Sequence, residues 1–106
     1  MRKVYNKLVR DLIPEIIEKS GKQARTSTIQ DEAQLKTMLI EKLKEEVKEY
    51  CSSQDVNELA DILEVLKALT TKIHKLDYAD LEQRRIEKEK ARGGFEQGII
   101  LKEVLE

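Results

Sequence analysis

Along most of this chain apolar residues recur every three or four positions, the period that stacks side chains on one face of an α-helix. The clearest stripe joins Leu35, Leu39, Leu43, Val47 and Tyr50, and ahead of it Asp31 and Gln34 have the spacing of a capping box. A helix is therefore predicted from Asp31 to about Cys51. Ser52, Ser53, Gln54 and Asp55 follow as a compact polar turn, after which Val56, Leu59, Ile62, Leu63, Leu66, Leu69 and Ile73 mark a second long helix. Val65 and Ala68 widen its apolar arc beyond half the circumference, so this helix is predicted to lie sandwiched between neighbours.

Shorter helices flank this pair. The first is predicted to start with Asp11 as N-cap, to accommodate Pro14 in its first turn where the missing N–H is harmless, and to stop at Gly21. The last begins near Asp77, carries Tyr78, Leu81 and Ile86 on a thin stripe, and ends at Gly93. Before the first helix, MRKVYNKLVRD fits either an extended arm or a short helical turn, and KQARTSTIQ has no sustained period and reads as a loop. The tail from Phe95 to Glu106 contains Ile99, Ile100, Leu101, Val104 and Leu105, which calls for packing on the bundle or on another subunit. The expectation is an all-α protein: one compact helical bundle of about four helices, residues 1–106, tending to oligomerise.

Composition narrows the functions open to it. Twenty Lys and Arg against 21 Asp and Glu give a net charge of −1, so no global positive field favours nucleic acid, and only the N-terminal arm and the end of the fourth helix carry a basic face. No apolar run approaches the roughly 20 residues needed to cross a bilayer. Cys51 is alone and no charged-then-apolar leader opens the chain, so the expected location is cytoplasmic. Cys51 reads as a packing residue rather than a nucleophile, and His74 as a surface residue near a helix end.

The candidate chemistry is carboxylate. Projected at about 100° per residue with Leu39 at zero, Leu43 falls near +40°, Tyr50 near +20° and Leu35 near −40°, which leaves Glu46, near −20°, inside the apolar stripe. A buried carboxylate costs several kcal/mol unless it is paired, protonated or bound to a cation. Glu49 lies one turn on and about 60° away, so an E-x-x-E pair can reach one point in front of the helix. On the next helix Glu58 and Asp61 form an E-x-x-D pair that also projects among apolar positions. An antiparallel hairpin would bring the four together, and a hard ion, Mg²⁺ or Mn²⁺, would resolve their repulsion and imply a phosphate-bearing ligand. Two plainer readings stand beside this one. Asp55 and Glu58 fit a capping box, and the run from Glu41 to Glu49 fits a solvated face with i,i+4 ion pairs. A di-iron site is not supported, because Thr71 rather than a glutamate stands three before the single histidine.

Three segments, YNKLVRDLIPEII, then KLKEEVKEY with ELADILEVLKAL, then RGGFEQGIILKE, together span nearly the whole chain. In that order they resemble the MazG-like all-α nucleotide pyrophosphohydrolases, specifically the small phosphoribosyl-ATP pyrophosphohydrolase-like branch. The resemblance implies hydrolysis of a nucleoside triphosphate or related nucleotide to the monophosphate and pyrophosphate, in a house-cleaning role. By motif match it puts the metal ligands on Glu46, Glu49, Glu58 and Asp61, with Glu45 completing E-E-x-x-E, and makes Glu46 or Glu49 the residue that orients the attacking water. Lys7, Arg10, Lys88 and Arg92 would then bind substrate phosphates; ordinary surface charge is the alternative for these four. Only eight residues separate Glu49 from Glu58, shorter than in many members of that family, which implies a reduced nucleotide pocket. The expected assembly is a homodimer or homotetramer. A catalytically silent helical interaction module is the competing reading.

Overall fold

Asp31 and Asp55 each stand immediately ahead of an apolar-periodic run, and each starts one of the two helices that organise the chain. In the computed structural model, which describes residues 1–106, these are α2 (Glu32–Ser53) and α3 (Val56–Ala68), preceded by α1 (Ile13–Lys19) and followed by α4 (Tyr78–Arg92). There is no strand, so the all-helical class holds. The Asp31 carboxylate accepts the Ala33 N–H at 3.3 Å, and the Asp55 carboxylate accepts the Asn57 N–H at 2.8 Å. Each thereby satisfies one of the free N–H groups of a helix start. No bond returns from Gln34, so only half of that predicted box forms.

α2 and α3 pack side by side as an antiparallel hairpin, reversed by Gln54 in the left-handed region (φ 57, ψ 26) and by Asp55 in extended conformation. Leu39 and Val65 form the buried apolar centre of this pair, with Leu35, Leu43, Tyr50, Ile62 and Leu66 half-buried around them. α3 is not sandwiched within one chain. Val56, Leu59 and Leu63 stay exposed because no other element of the chain reaches their side of the helix.

The long stripe to Ile73 predicted one continuous helix, yet α3 loosens into a π-helical turn over Leu69–Ile73, with the His74 N–H donating to the Leu69 carbonyl. Thr70 and Thr71 supply a reason: their hydroxyls donate to the carbonyls of Leu66 and Lys67, at 2.7 and 3.0 Å, competing for the acceptors a regular helix would use. α4 packs against this turn, and the Lys75–Glu32 ion pair (3.2 Å) ties the end of the turn to the start of α2. At the start of α4 the Asp77 N–H donates to the Asp80 carboxylate at 3.1 Å and the Asp80 N–H to the Asp77 carbonyl at 3.0 Å, and Gly93 ends the helix at φ 84, a conformation that favours glycine.

α1 departs from expectation at its start. The Ile13 N–H bonds to the Arg10 carbonyl in a tight turn, which shifts the first helical residue and leaves Leu12, not Asp11, at the N-cap with no side-chain cap. Residues 1–10 form an arm without helix, passing through a left-handed Asn6 (φ 47). The tail does not pack on the chain's own helices: Phe95, Ile99, Ile100, Leu101, Val104 and Leu105 are all exposed. Overall dimensions are 64 × 32 × 23 Å, a long axis about twice the length of α2, so segments beyond the hairpin extend the molecule. No helix is long and apolar enough to cross a membrane.

Candidate metal centre

Glu46 lies about two turns before the end of α2 and on the stripe that faces α3, so folding carries it inward with Leu39. It is only 7% exposed, and its Oε2 is buried with no hydrogen-bond partner. Oε1 has Lys42 Nζ at 3.5 Å, longer than an ordinary charge-assisted hydrogen bond. Burial pushes the Glu46 carboxyl above its usual range, with Glu49 and Asp61 adding repulsion and Lys42 partly opposing them.

The first turns of α3 bring two more carboxylates to this point. Glu46, Glu58 and Asp61 each offer an oxygen such that the three atoms lie within 4.8 Å of one another, the spacing at which one ion could touch all three. Glu58 is held above the usual carboxylate range by partial desolvation and by the charges of Glu49 and Asp61. Its alternative role as a capping partner of Asp55 is not used, because the Asp55 N–H donates to Ser53 Oγ at 3.2 Å instead. Glu49 is outside the group of three. It is exposed on the next turn of α2, close enough to raise both Glu46 and Glu58.

Positive charge reaches the rim from the N-terminal arm. Arg10 donates to Asp61 Oδ1 at 2.7 Å and stands 3.7 Å from Glu64, while Lys7 donates to Glu45 at 2.8 Å. The hydrogen bond with Glu45 raises the Lys7 ammonium above its ordinary value, and the same bond lowers Glu45. Lys88 and Arg92 are not brought to the carboxylates; both are exposed on α4 and make no ion pair, because α4 packs at the π turn, the far end of α3 from Glu58.

Lys42 and Glu64 were not singled out in the sequence. Lys42 could have been, since it sits four residues before Glu46 on the same face; Glu64 joins only through the arm, a non-local contact. Cys51 is exposed and does not pack within the chain, and His74 is exposed at the end of the π turn, as expected. A cleft of about 320 Å³, lined by Thr70, His74, Leu76, Leu81 and Arg84, opens where α4 meets that turn. Thr70 is nine residues beyond Asp61, roughly 13 Å along the helix axis. No carboxylate lines that cleft, so it is separate from the acidic cluster of the hairpin.

No family model, curated protein or solved structure gives a significant match to this chain.

Proposed function

We propose that this protein is a Mg²⁺-dependent nucleotide pyrophosphohydrolase, Mn²⁺ being the alternative ion, that cleaves a nucleoside triphosphate or related nucleotide to the monophosphate and pyrophosphate. One observation carries the reading: a buried glutamate with an unpartnered oxygen, Glu46, faces Glu58 and Asp61 within reach of a single ion. A carboxylate left so is expensive, and three acidic groups together repel, so the donor set fits a hard divalent cation. The motif resemblance to the MazG-like enzymes supports the same reaction.

In this reading Glu46, Glu58 and Asp61 would hold the ion directly, and Glu49 would reach it through a bound water. When bound, the ion supplies charge neutralisation on the phosphates and a water acidified for attack. Glu49, exposed and beside the cluster, orients that water and takes its proton, a task the enclosed Glu46 is less free to perform. Lys7 and Arg10, both at the rim, meet the phosphate oxygens; Lys88 and Arg92 would do so only from another copy or after α4 moves.

A second copy of the chain supplies what the fold lacks. The accessible surface is 9959 Å², against about 6,100 Å² expected for a folded monomer of 12.3 kDa. The excess, about 3,900 Å² per chain, is larger than the roughly 1,000–2,500 Å² that each partner contributes to an obligate interface, so it leaves room for more than one such contact. We therefore assign the open side of α3 and the apolar tail to homo-oligomer contacts, a dimer or tetramer. The lone cysteine fits a reducing, cytoplasmic setting.

The same exposed apolar residues favour one other reading, a catalytically silent helical module that uses this surface to bind a partner. Pyrophosphate release from a panel of nucleoside triphosphates with Mg²⁺ or Mn²⁺ separates the two. The expected result is metal-dependent release, reduced about a hundredfold or more in Glu46→Gln and Asp61→Asn, since losing even an outer-shell partner of a metal typically costs about ten- to a hundredfold. No release from any nucleotide, by folded protein that binds metal, would leave the silent module.

A further inference from the structure

The carboxylates of the hairpin are counterbalanced by cations that belong to the chain itself, and the most exposed of these are on the segment with the least to hold it. Of residues 1–10 only Leu8 is half-buried; Val4, Tyr5 and Val9 are exposed, so the arm has little apolar anchorage. What fastens it is electrostatic: Lys7 on Glu45 at 2.8 Å, and Arg10 on Asp61 at 2.7 Å with Glu64 beyond at 3.7 Å. Asp61 is at the same time one of the three groups that converge with the unpartnered Oε2 of Glu46.

We propose that Arg10 and the divalent ion compete for Asp61, so that metal binding releases the N-terminal arm and frees Arg10 and Lys7 for the phosphates of the substrate. The proposal rests on the metal reading of the carboxylate cluster and adds to it an order of events. A guanidinium and a dication on one carboxylate repel each other, and the ion brings two positive charges to a cluster for which the arm supplied the balance. Arg10 is half-exposed, so it can leave without opening a core. Once free, its planar fork suits phosphate oxygens as well as it suited the carboxylate. The arm is thus a counter-ion without metal and a substrate clamp with it.

The contrary possibility is that Arg10 orients Asp61 for the metal, in which case removing it would weaken binding, typically tenfold or more. Titration with Mn²⁺ alone, with no nucleotide, distinguishes them in the full-length protein. Competition predicts that Arg10→Ala binds Mn²⁺ about two- to fivefold more tightly than the parent, the affinity equivalent of an exposed ion pair. A second readout follows the arm itself: trypsin should cut after Lys7 and Arg10 several-fold faster in the parent with Mn²⁺ than without it, and Mn²⁺ should give no acceleration in Glu46→Gln. Unchanged or weaker binding by Arg10→Ala, or an arm whose cleavage ignores a metal that demonstrably binds, would overturn the competition while leaving the metal site standing. If Mn²⁺ fails to bind the parent at all, the metal reading and this inference fall together.

Discussion

The hairpin and the two chain ends contain similar proportions of apolar residue but use them in opposite ways. In α2 and α3 the apolar stripes close on each other, Leu39 and Val65 are buried, and even an acidic residue, Glu46, is drawn inside. In the arm and tail, Tyr5, Val9, Phe95, Ile100 and Leu101 face outward. The difference teaches that periodicity alone does not decide burial. A stripe is buried when a short turn returns a complementary stripe to it, as Gln54 and Asp55 do, and the terminal segments have no such return within one chain.

The largest expected effect tests that contrast directly. Leu39→Ala should lower unfolding free energy by about 2–5 kcal/mol in denaturant titration, as a cavity in a small core does. Leu101→Ala should have an effect within about 0.5 kcal/mol if the tail is a free surface. It should instead approach the core value, and make the melting temperature more dependent on protein concentration, if a second copy covers the tail. Equal effects at the two positions would dissolve the contrast by making the tail part of the core of an assembly.

The next effect has the opposite sign. Without metal, Glu46→Leu should raise stability by about 1–3 kcal/mol, because leucine suits the stripe and the buried, unpartnered oxygen disappears. The same variant should lose any stabilisation by Mn²⁺, about 2.7 kcal/mol in the parent at a hundred times the dissociation constant. Glu46 is raised in the fold, so the native state binds its proton more readily than the unfolded chain does. Its unfavourable contribution is present at neutral pH and fades as pH falls through the raised value toward the ordinary carboxylate range. The metal-free parent should therefore gain stability on mild acidification, with Glu58 acting in the same direction, and Glu46→Leu should show a flatter profile. A destabilised Glu46→Leu would mean that the contact with Lys42 outweighs desolvation and that the site is structural.

Much of the hairpin was legible in the sequence because its signals are local. Asp31, Asp55, Asp77 and Gly93 announced helix ends through residue type, and the placement of Glu46 followed from the angular position of Leu35, Leu39, Leu43 and Tyr50. What could not be read was non-local or inter-chain. Nothing near Arg10 in the sequence points to Asp61, 51 residues away, and nothing in the tail says whether its partner is the same chain. Asp11 misled for a smaller reason: a turn closed by the Ile13 N–H on the Arg10 carbonyl delayed the helix past the residue chemically suited to cap it.

The π turn is the intermediate case, a local signal that the apolar stripe concealed. Leu69 and Ile73 keep helical spacing, but the adjacent threonines donate to Leu66 and Lys67, and the ladder widens until the His74 N–H meets Leu69. Of the two, Thr70 is the one to test, being 6% exposed with a hydroxyl bond of 2.7 Å. Thr70→Val keeps the shape and removes the donor. Two effects then oppose each other: loss of one hydrogen bond, about 1 kcal/mol, and relief of competition for the helix acceptors, which favours a regular α-helix through residue 73. We expect a net change below about 1 kcal/mol with amide exchange at residues 70–74 slowed, since a regular ladder protects those N–H groups better. Exchange that speeds up instead would show that the threonine hydroxyls hold the turn together, and that the junction with α4 depends on the irregular geometry.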